Sequence, residues 1–255
     1  MLLQVNSSVK RERTIKTLKE RNSLKKAMIA AVIVLAGCSD SSGAEEEAVS
    51  RPAEEQTAEQ MMIDAPHISQ KPELMRGCEV TTLAMLLQDA GVSVDKMTLS
   101  EEIKRVPFEE NGVRGNIHEG FVGNMKTMDE PGLGVYHEPV AELAENYLPG
   151  KIKDMTGESF DSVLAQVEDG RPVWVIVTST FDKLPESEWE TWETESGPVK
   201  VTYSMHSVLV TGFDEQNLYV NDPLDKKNRK LPREEFIAGW EQIGKQAITY
   251  EKAAD

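Results

Sequence analysis

Four residues have side chains that could carry out nucleophilic chemistry if the fold brings them together. Cys78 follows Gly77 and opens a predicted helix, where the positive end of the helix dipole favours a thiolate. His206 begins an apolar strand and Asp222 ends the next one, so antiparallel pairing would place them within a few residues of each other. A thiolate, an imidazole base and a carboxylate that orients the base form a catalytic triad. Gln70 could donate an amide hydrogen bond to a developing oxyanion.

Each of these residues also has a simpler structural explanation. A lone cysteine is often an inert apolar residue of the core, and a histidine on a strand is often a hydrogen-bonded core residue. The pair Asp222-Pro223 is a turn signal in its own right, and a single glutamine carries little specificity. The order of the four residues along the chain and the local context of each one together favour the catalytic interpretation.

The elements predicted around these residues indicate an α+β fold. The helix opened by Cys78 is predicted to end at Gly91, with Val80, Leu83 and Leu87 on one apolar face. Further helices are predicted over 100–105, 139–147, 159–168 and 232–243. Strands are predicted over 173–178, 199–205 running into 206–213, 218–221 and 247–250. Because helices come early and strands late, we expect an antiparallel sheet packed on the Cys78 helix.

Several short stretches carry a resemblance to a known family. They are Ser69-Gln70, Gly77-Cys-Glu-Val-Thr-Thr-Leu-Ala-Met85, 120–123, 132–136, 170–173, 206–213, 220–223 and Phe236 with Trp240. With these stretches, residues 63–250 resemble the secreted branch of the bacteriocin-processing cysteine peptidases, family thirty-nine of the papain-like superfamily. One departure is the stretch 117–119, Ile-His-Glu, where the family usually has Asp-Pro.

The resemblance implies a papain-like fold and a role for each of the four residues. By position, it makes Cys78 the nucleophile, His206 the general base, Asp222 the orienting acid and Gln70 the oxyanion donor. The implied reaction is hydrolysis of peptide amide bonds without a metal or cofactor, on secreted peptides, envelope proteins or peptidoglycan peptides. Two alternatives stay open: amide transfer to an amine by the same triad, and an envelope binding module that keeps the cleft without turnover.

The N-terminal residues have the pattern of a lipoprotein signal. Residues 1–26 hold eight Lys or Arg, and an apolar run follows over 27–36. This run is too short for a membrane span, which needs roughly 20 residues. Leu35-Ala36-Gly37-Cys38 resembles the lipobox of bacterial lipoproteins, in which the cysteine is lipidated. We therefore expect a signal peptide over 1–37, a lipid on Cys38, and an extracytoplasmic protein anchored to the bacterial cell membrane.

Charge and composition divide the rest of the chain into a tether and a domain. Residues 38–60 are polar and acidic, which predicts a disordered tether, and residues 61–255 have the composition of one globular domain. Removing residues 1–37, which hold eight Lys or Arg and two Glu, changes the net charge from −16 to −22. An acidic protein lacks the basic groups that neutralise phosphates, so nucleic acid is excluded as a partner. Because anionic lipid repels such a protein, we expect the lipid to hold it at the membrane.

Two further groups of residues receive weaker assignments. The stretch 184–197 is predicted to be a solvated loop whose Trp189 and Trp192 pack onto the body of the protein. Alternatively, these tryptophans and Glu79 line a substrate cleft near the histidine base. His118 and His137 each precede a glutamate but lack a second histidine at metal-binding spacing, so both are expected at the surface and no metal site is predicted.

Overall fold

The computed structural model describes residues 60–252, and the predicted signal peptide, lipidated Cys38 and most of the acidic tether lie outside these residues. The helices are α1 Cys78–Asp89, α2 Lys96–Glu102, α3 His137–Tyr147, α4 Phe160–Glu168 and α5 Arg233–Gln242. The strands of the large sheet are β1 Met61–Met62, β6 Ile152–Asp154, β7 Val173–Thr178, β10 Met205–Phe213, β11 Asn217–Asn221, β12 Arg229–Pro232 and β13 Ala247–Tyr250. The short strands outside it are β2 Arg105–Val106, β3 Glu109–Glu110, β4 Val113–Arg114, β5 Phe121–Val122, β8 Glu190–Thr194 and β9 Gly197–Val201.

The large sheet is antiparallel throughout, and its central strand β10 carries His206. The strand order is β12-β11-β10-β7-β13-β6, and β1 also pairs with β10. In the pairing of β10 with β11, Leu209 lies opposite Asn221. Asp222, which follows Asn221, therefore lies beside the part of β10 that contains His206. The register of this one strand pair is what brings the base and the carboxylate together, as the sequence predicts.

Both faces of the sheet are covered by helices, which explains why its strands are apolar without interruption. All six residues of β7 are buried. Trp174 and Ile176 point to the core beneath α1 and α3, whereas Val173, Val175 and Val177 point to the core beneath α4 and α5. Alternate side chains of a strand face opposite sides of a sheet, so two buried faces require an apolar residue at every position.

Helix α1 confirms the prediction of a long helix that starts at Cys78 and packs on the sheet. Its first ten residues are buried, so the helix crosses the core instead of lying on the surface. It ends at Asp89, and the chain turns away at Gly91, whose φ of 86° suits glycine. Helices α3, α4 and α5 also match predictions within a few residues, since helices were predicted over 139–147, 159–168 and 232–243.

Two predicted boundaries are wrong, each for a local reason. Helix α2 begins at Lys96 because the Asp95 carboxylate caps it, accepting the backbone N–H of Met97 over 2.8 Å. Ser100, where the sequence predicted the helix start, lies inside the helix and donates to the Met97 carbonyl. The predicted continuous strand over 199–213 is interrupted over 202–204, where the chain leaves β9 and enters β10 of the other sheet.

The stretch 184–197 forms ordered structure where a solvated loop was predicted. A short 3-10 turn, Glu186–Glu188, leads into β8, which pairs with β9 in a small sheet of order β3-β4-β8-β9. Trp192 and Thr194 are buried in β8, and Glu193 between them is exposed. The alternation arises because only one face of this sheet is covered. Among residues 60–252, no helix is long and apolar enough to cross a bilayer.

Replacing Leu143 by alanine is expected to lower the free energy of unfolding by about 2–5 kcal/mol, because the change leaves a cavity where α3 packs on the core. Leu143 is 3% exposed. The neighbouring exposed residue provides a matched control, since Glu142→Ala should stay within about 0.5 kcal/mol of the wild type. Urea unfolding followed by circular dichroism measures both. Equal unfolding midpoints for the two variants would contradict the packing described for α3.

Candidate active site

Cys78 is the first residue of α1, and its thiol lies at the helix N-terminus beside β10. A Cβ at Gly77 would lie 2.6 Å from Leu74 Cβ, so only glycine fits the turn that leads into the helix. One turn further on, the Thr82 hydroxyl donates to the Ser207 carbonyl over 3.1 Å and fixes α1 against β10. Cys78 is 8% exposed. The sulfur therefore lies at the edge of the core, next to the strand that carries the histidine.

The surroundings of the Cys78 thiol favour its protonated form in the resting structure. Burial raises the pKa of the thiol well above its ordinary value, and the neighbouring Glu79 carboxyl raises it further. The backbone N–H of Ser207 lowers the pKa by a smaller amount. The helix N-terminus by itself favours a thiolate, whereas burial and Glu79 act in the opposite direction and raise the pKa of Cys78.

His206 and Asp222 form a buried hydrogen-bonded pair. His206 Nε2 lies 2.8 Å from Asp222 Oδ1, and the side chains are 5% and 1% exposed. This contact leaves Nδ1 as the ring nitrogen that can act toward Cys78. Burial alone would raise the pKa of Asp222, but hydrogen bonds from His206, Leu224 and Arg229 lower it to about 2. The carboxylate is therefore ionised at neutral pH and can orient the imidazole.

Three residues that the sequence gave no reason to select support this pair. Arg229 Nη1 donates to Asp222 Oδ2 over 2.8 Å, and the guanidinium also lies over the Phe181 ring. The Phe181 ring in turn packs edge-on against the His206 ring, with 6.0 Å between centroids. His67 Nε2 lies 2.9 Å from the Asp222 carbonyl oxygen. These contacts hold both ends of the aspartate and shield the histidine from solvent.

Gln70 lies next to the site, but its amide group is already hydrogen-bonded. Its backbone N–H donates to the Pro223 carbonyl, which places the residue beside the Asp222-Pro223 turn. Its side-chain nitrogen donates to the carbonyls of Leu74 over 3.1 Å and Met75 over 3.2 Å. In this conformation, donation to an oxyanion would require one of these bonds to break. The assignment of Gln70 as an oxyanion donor stays a prediction.

The two tryptophans of the stretch 184–197 lie in different places. Trp192 is buried and packs edge-on between Phe108 and Tyr203, with ring centroids at 5.4 Å and 6.1 Å. Trp189 is half-buried, with the Lys200 ammonium over its ring. Tyr203 is 56% exposed and lies three residues before His206. Tyr203 is therefore the exposed member of this aromatic group and packs on Trp192, and the sequence pattern did not identify it.

Glu79 is buried directly beside Cys78. Its carboxyl oxygen Oε2 accepts a hydrogen bond from Cys78 Sγ over 3.2 Å. The sequence suggested that Glu79 could line a substrate cleft. The residue is only 1% exposed, so it does not line an open cleft in this structure. Burial raises its pKa.

His118 and His137 were expected at the surface; His118 is exposed, His137 is half-buried, and Glu138 joins them. His118 Nδ1 lies 2.7 Å from Glu138 Oε1, and His137 Nε2 lies 3.3 Å from the same oxygen. His137 Nδ1 contacts Asp154 over 2.6 Å. Among residues 60–252, no group of three or more His, Cys, Asp or Glu is placed to hold a metal ion. We interpret this cluster as an ion-pair network that joins α3 to β6.

The network predicts a dependence of stability on pH. Burial would lower the pKa of His137, but hydrogen bonds to Asp154 and Glu138 raise it to about 9. A histidine whose pKa is raised by folding contributes its full stabilisation when the pH is below its pKa in the unfolded chain, about 6.5. This contribution is lost as the pH rises through the pKa in the folded protein. We expect unfolding free energy on the order of 2 kcal/mol to be lost between these two values.

Replacing His137 by glutamine removes the titrating group and tests this expectation. The variant should be less stable than the wild type at pH 6 and should approach it at pH 9. Urea unfolding across this range gives the difference curve. A difference that does not change with pH would show that His137 is not held protonated by its two carboxylates.

The architecture, with a cysteine at the start of a helix packed on an antiparallel sheet, is the α+β fold of the papain-like cysteine peptidases. Residues 62–248 match the Peptidase C39 like family, and the chain belongs to this family. It is similar to the uncharacterized protein YvpB of Bacillus subtilis (strain 168), with 46% identity over 182 residues, 71% of each chain. The chain is also similar to a crystal structure from Bacillus anthracis that is assigned as a C39-like peptidase, with 49% sequence identity and a TM-score of 0.76. The matched region covers 77% of this chain and 100% of the Bacillus anthracis chain.

Proposed function

We propose that this protein is a lipid-anchored cysteine peptidase of the bacterial cell envelope that hydrolyses peptide amide bonds with Cys78, His206 and Asp222. Its family supports a peptidase function. The observation that carries the proposal is the contact of 2.8 Å between His206 Nε2 and Asp222 Oδ1, beside the N-terminus of the helix that carries Cys78. This is the arrangement that activates a nucleophile through an oriented base.

The proposed cycle begins when the Cys78 sulfur attacks the substrate carbonyl carbon and the thiol proton passes to His206 Nδ1. A backbone N–H at the start of α1, free of any helical partner, holds the oxyanion, and Gln70 joins it after its amide gives up one of its two bonds to backbone carbonyls. The C–N bond then breaks as His206 returns its proton to the leaving amine, which leaves a thioester on Cys78. Water attacks the thioester and gives a proton to His206, and this proton returns to the sulfur as the new carboxylic acid leaves.

The proposed setting follows from the N-terminal pattern. Lipidation of Cys38 would tether the domain to the outer face of the cell membrane, and 38–60 would give it reach. Substrates at this location are secreted peptides, envelope proteins or the peptides of peptidoglycan. Tyr203, exposed three residues before the base, offers an aromatic surface against which such a peptide could pack.

The proposal is tested with the full chain and a mixture of synthetic peptides in isotopically labelled water. Hydrolysis places label in the new carboxyl group, and mass spectrometry of the products detects it. Addition of a primary amine separates the alternatives, because amide transfer would give amine adducts instead of labelled acids. Peptide binding without any product would favour the non-catalytic binding module and overturn the proposal.

A further inference from the structure

The mechanism above leaves one buried acidic side chain beside the nucleophile without a role. The two carboxyl oxygens of Glu79 have different partners: Oε2 accepts from Cys78 Sγ over 3.2 Å, and Oε1 accepts the backbone N–H of Val135 over 3.1 Å. Glu79 is 1% exposed. The carboxyl group therefore bridges the start of α1 and the segment that precedes α3, with the catalytic sulfur at one end of the bridge.

The surrounding structure fixes Glu79 in this position. A Cβ at Gly134 would lie 2.4 Å from Glu79 Oε1, so the absence of a side chain at this residue makes room for the carboxyl group. The indole N–H of Trp174, on β7, donates to the Glu79 carbonyl oxygen over 3.0 Å. Met205 packs against the same glycine from β10. The Val135 N–H holds the Glu79 side chain and the Trp174 indole holds its backbone carbonyl, so the residue is part of the construction of the site.

The charged and titratable groups near Glu79 are few. On its own helix, the titratable neighbour of Glu79 is Cys78. On β10 it is His206, whose electrostatic interaction lowers the pKa of Glu79. Asp222 is hydrogen-bonded to His206. The segment before α3 contributes only a backbone N–H, and β7 contributes only an indole. Among the described residues, no Lys or Arg forms an ion pair with Glu79. Two negative charges on adjacent buried atoms would therefore repel each other with little compensation.

We propose that Glu79 is a positioning residue that keeps the Cys78 proton on sulfur in the resting site, so that the thiolate forms only when His206 removes this proton during attack. The carboxyl group accepts the S–H hydrogen bond and orients the thiol. Its effect on turnover rests on the proposed function, whereas its effect on the resting thiol does not. Burial and Glu79 together raise the pKa of Cys78, in agreement with this role.

A nucleophile held in this way is protected between catalytic events. Reaction of a cysteine with oxidants and electrophiles follows its thiolate fraction. Outside the cell membrane, where disulfides and oxidants are common, a resting thiol reacts more slowly than a resting thiolate. The cost is that His206 must take up the proton in the step that forms the new bond.

The test measures the rate at which iodoacetamide alkylates Cys78 as a function of pH in the wild type and in Glu79→Gln. The amide keeps the acceptor for Val135 and can donate to sulfur, but it carries no charge. The wild-type rate should rise only above about pH 8.5, the value of a free cysteine. In Glu79→Gln the midpoint should fall by one unit or more, so that alkylation at neutral pH becomes about tenfold faster. Equal midpoints in the two proteins would overturn the proposal.

Glu101→Gln, an exposed change on α2, is the matched control and should leave the alkylation profile unchanged. If Glu79→Gln does not fold, ultraviolet absorbance of the wild type, measured against Cys78→Ala, reports the thiolate directly. Thiolate absorbance at neutral pH would overturn the proposal, and its absence until alkaline pH supports it. If neither protein hydrolyses peptides but their alkylation midpoints differ, the proposed peptidase function fails and the role of Glu79 stands.

Discussion

Replacement of Cys78 by alanine is expected to abolish peptide hydrolysis and to leave the fold intact. Cys78 is the free cysteine of the part of the chain that the structure describes, so no neighbouring thiol in this domain can replace it. Removing a triad nucleophile lowers turnover by at least about 10³-fold, because only binding and oxyanion stabilisation are left. The fold should persist because the sulfur makes one side-chain hydrogen bond, to Glu79. Product formation by mass spectrometry, together with circular dichroism, measures both effects.

Two further variants make this result specific. Cys78→Ser keeps a donor for Glu79 but replaces the thiol with a poorer nucleophile, so it should be folded and nearly inactive. Cys38→Ala should keep hydrolysis in detergent-free solution and lose only the proposed lipid. If Cys78→Ala retained hydrolysis within tenfold of the wild type, the thiol would not be the nucleophile and the peptidase proposal in this form would fail.

Local sequence patterns were sufficient to predict the elements that carry Cys78, His206 and Asp222. Cys78 follows a glycine and opens an apolar run, and β7, β10 and β11 are rich in β-branched residues bounded by turn signals. Both patterns report short-range preferences of the backbone, which is why their positions were predicted within a few residues. The juxtaposition of His206 and Asp222 followed from the pairing of two consecutive strands, since such strands usually lie side by side.

The residues that support the His206–Asp222 pair could not be predicted because their contacts are distant in sequence. Arg229 reaches Asp222 from the start of β12, and His67 reaches it from the other end of the domain. Phe181 reaches His206 from the turn after β7. A contact of this kind depends on how the elements pack, and no local pattern records it. By contrast, β8 could have been predicted from the sequence. Trp192 and Thr194 alternate with Glu193 and Glu195, which is the period of a strand with one covered face.

The protonation state of Cys78 likewise depends on packing that a local sequence pattern does not record. The position of Cys78 at a helix N-terminus is visible in the sequence and predicts a lowered pKa. The depth of burial and the direction of the Glu79 side chain are properties of the packed structure, and they act in the opposite direction. Burial and a neighbouring carboxylate both disfavour the thiolate, whereas a helix N-terminus favours it. A reactive cysteine is therefore better judged from its surroundings than from its place in a helix.

Asp222→Ala is expected to lower turnover by about 10²–10⁴-fold, because it removes the group that fixes the imidazole of His206. In the wild type, Asp222 Oδ1 accepts from His206 and from the backbone N–H of Leu224, and Oδ2 accepts from Arg229. Alanine leaves His206 Nε2 without an acceptor, so the ring can rotate and exchange its proton between the two nitrogens. The loss should appear mainly in kcat, since the aspartate does not contact substrate.

Asp222→Asn should recover part of this loss, because an amide oxygen can still accept from His206, although the amide nitrogen would face the Arg229 guanidinium. Asp225→Ala is the matched control: Asp225 is exposed and contacts Arg229 over 3.5 Å, but it does not contact His206. The three variants should therefore rank in activity as Asp225→Ala above Asp222→Asn above Asp222→Ala. Similar losses in Asp222→Ala and Asp225→Ala would mean that the charge around Arg229, rather than an oriented histidine, determines the rate. The triad would then reduce to the cysteine and the histidine alone.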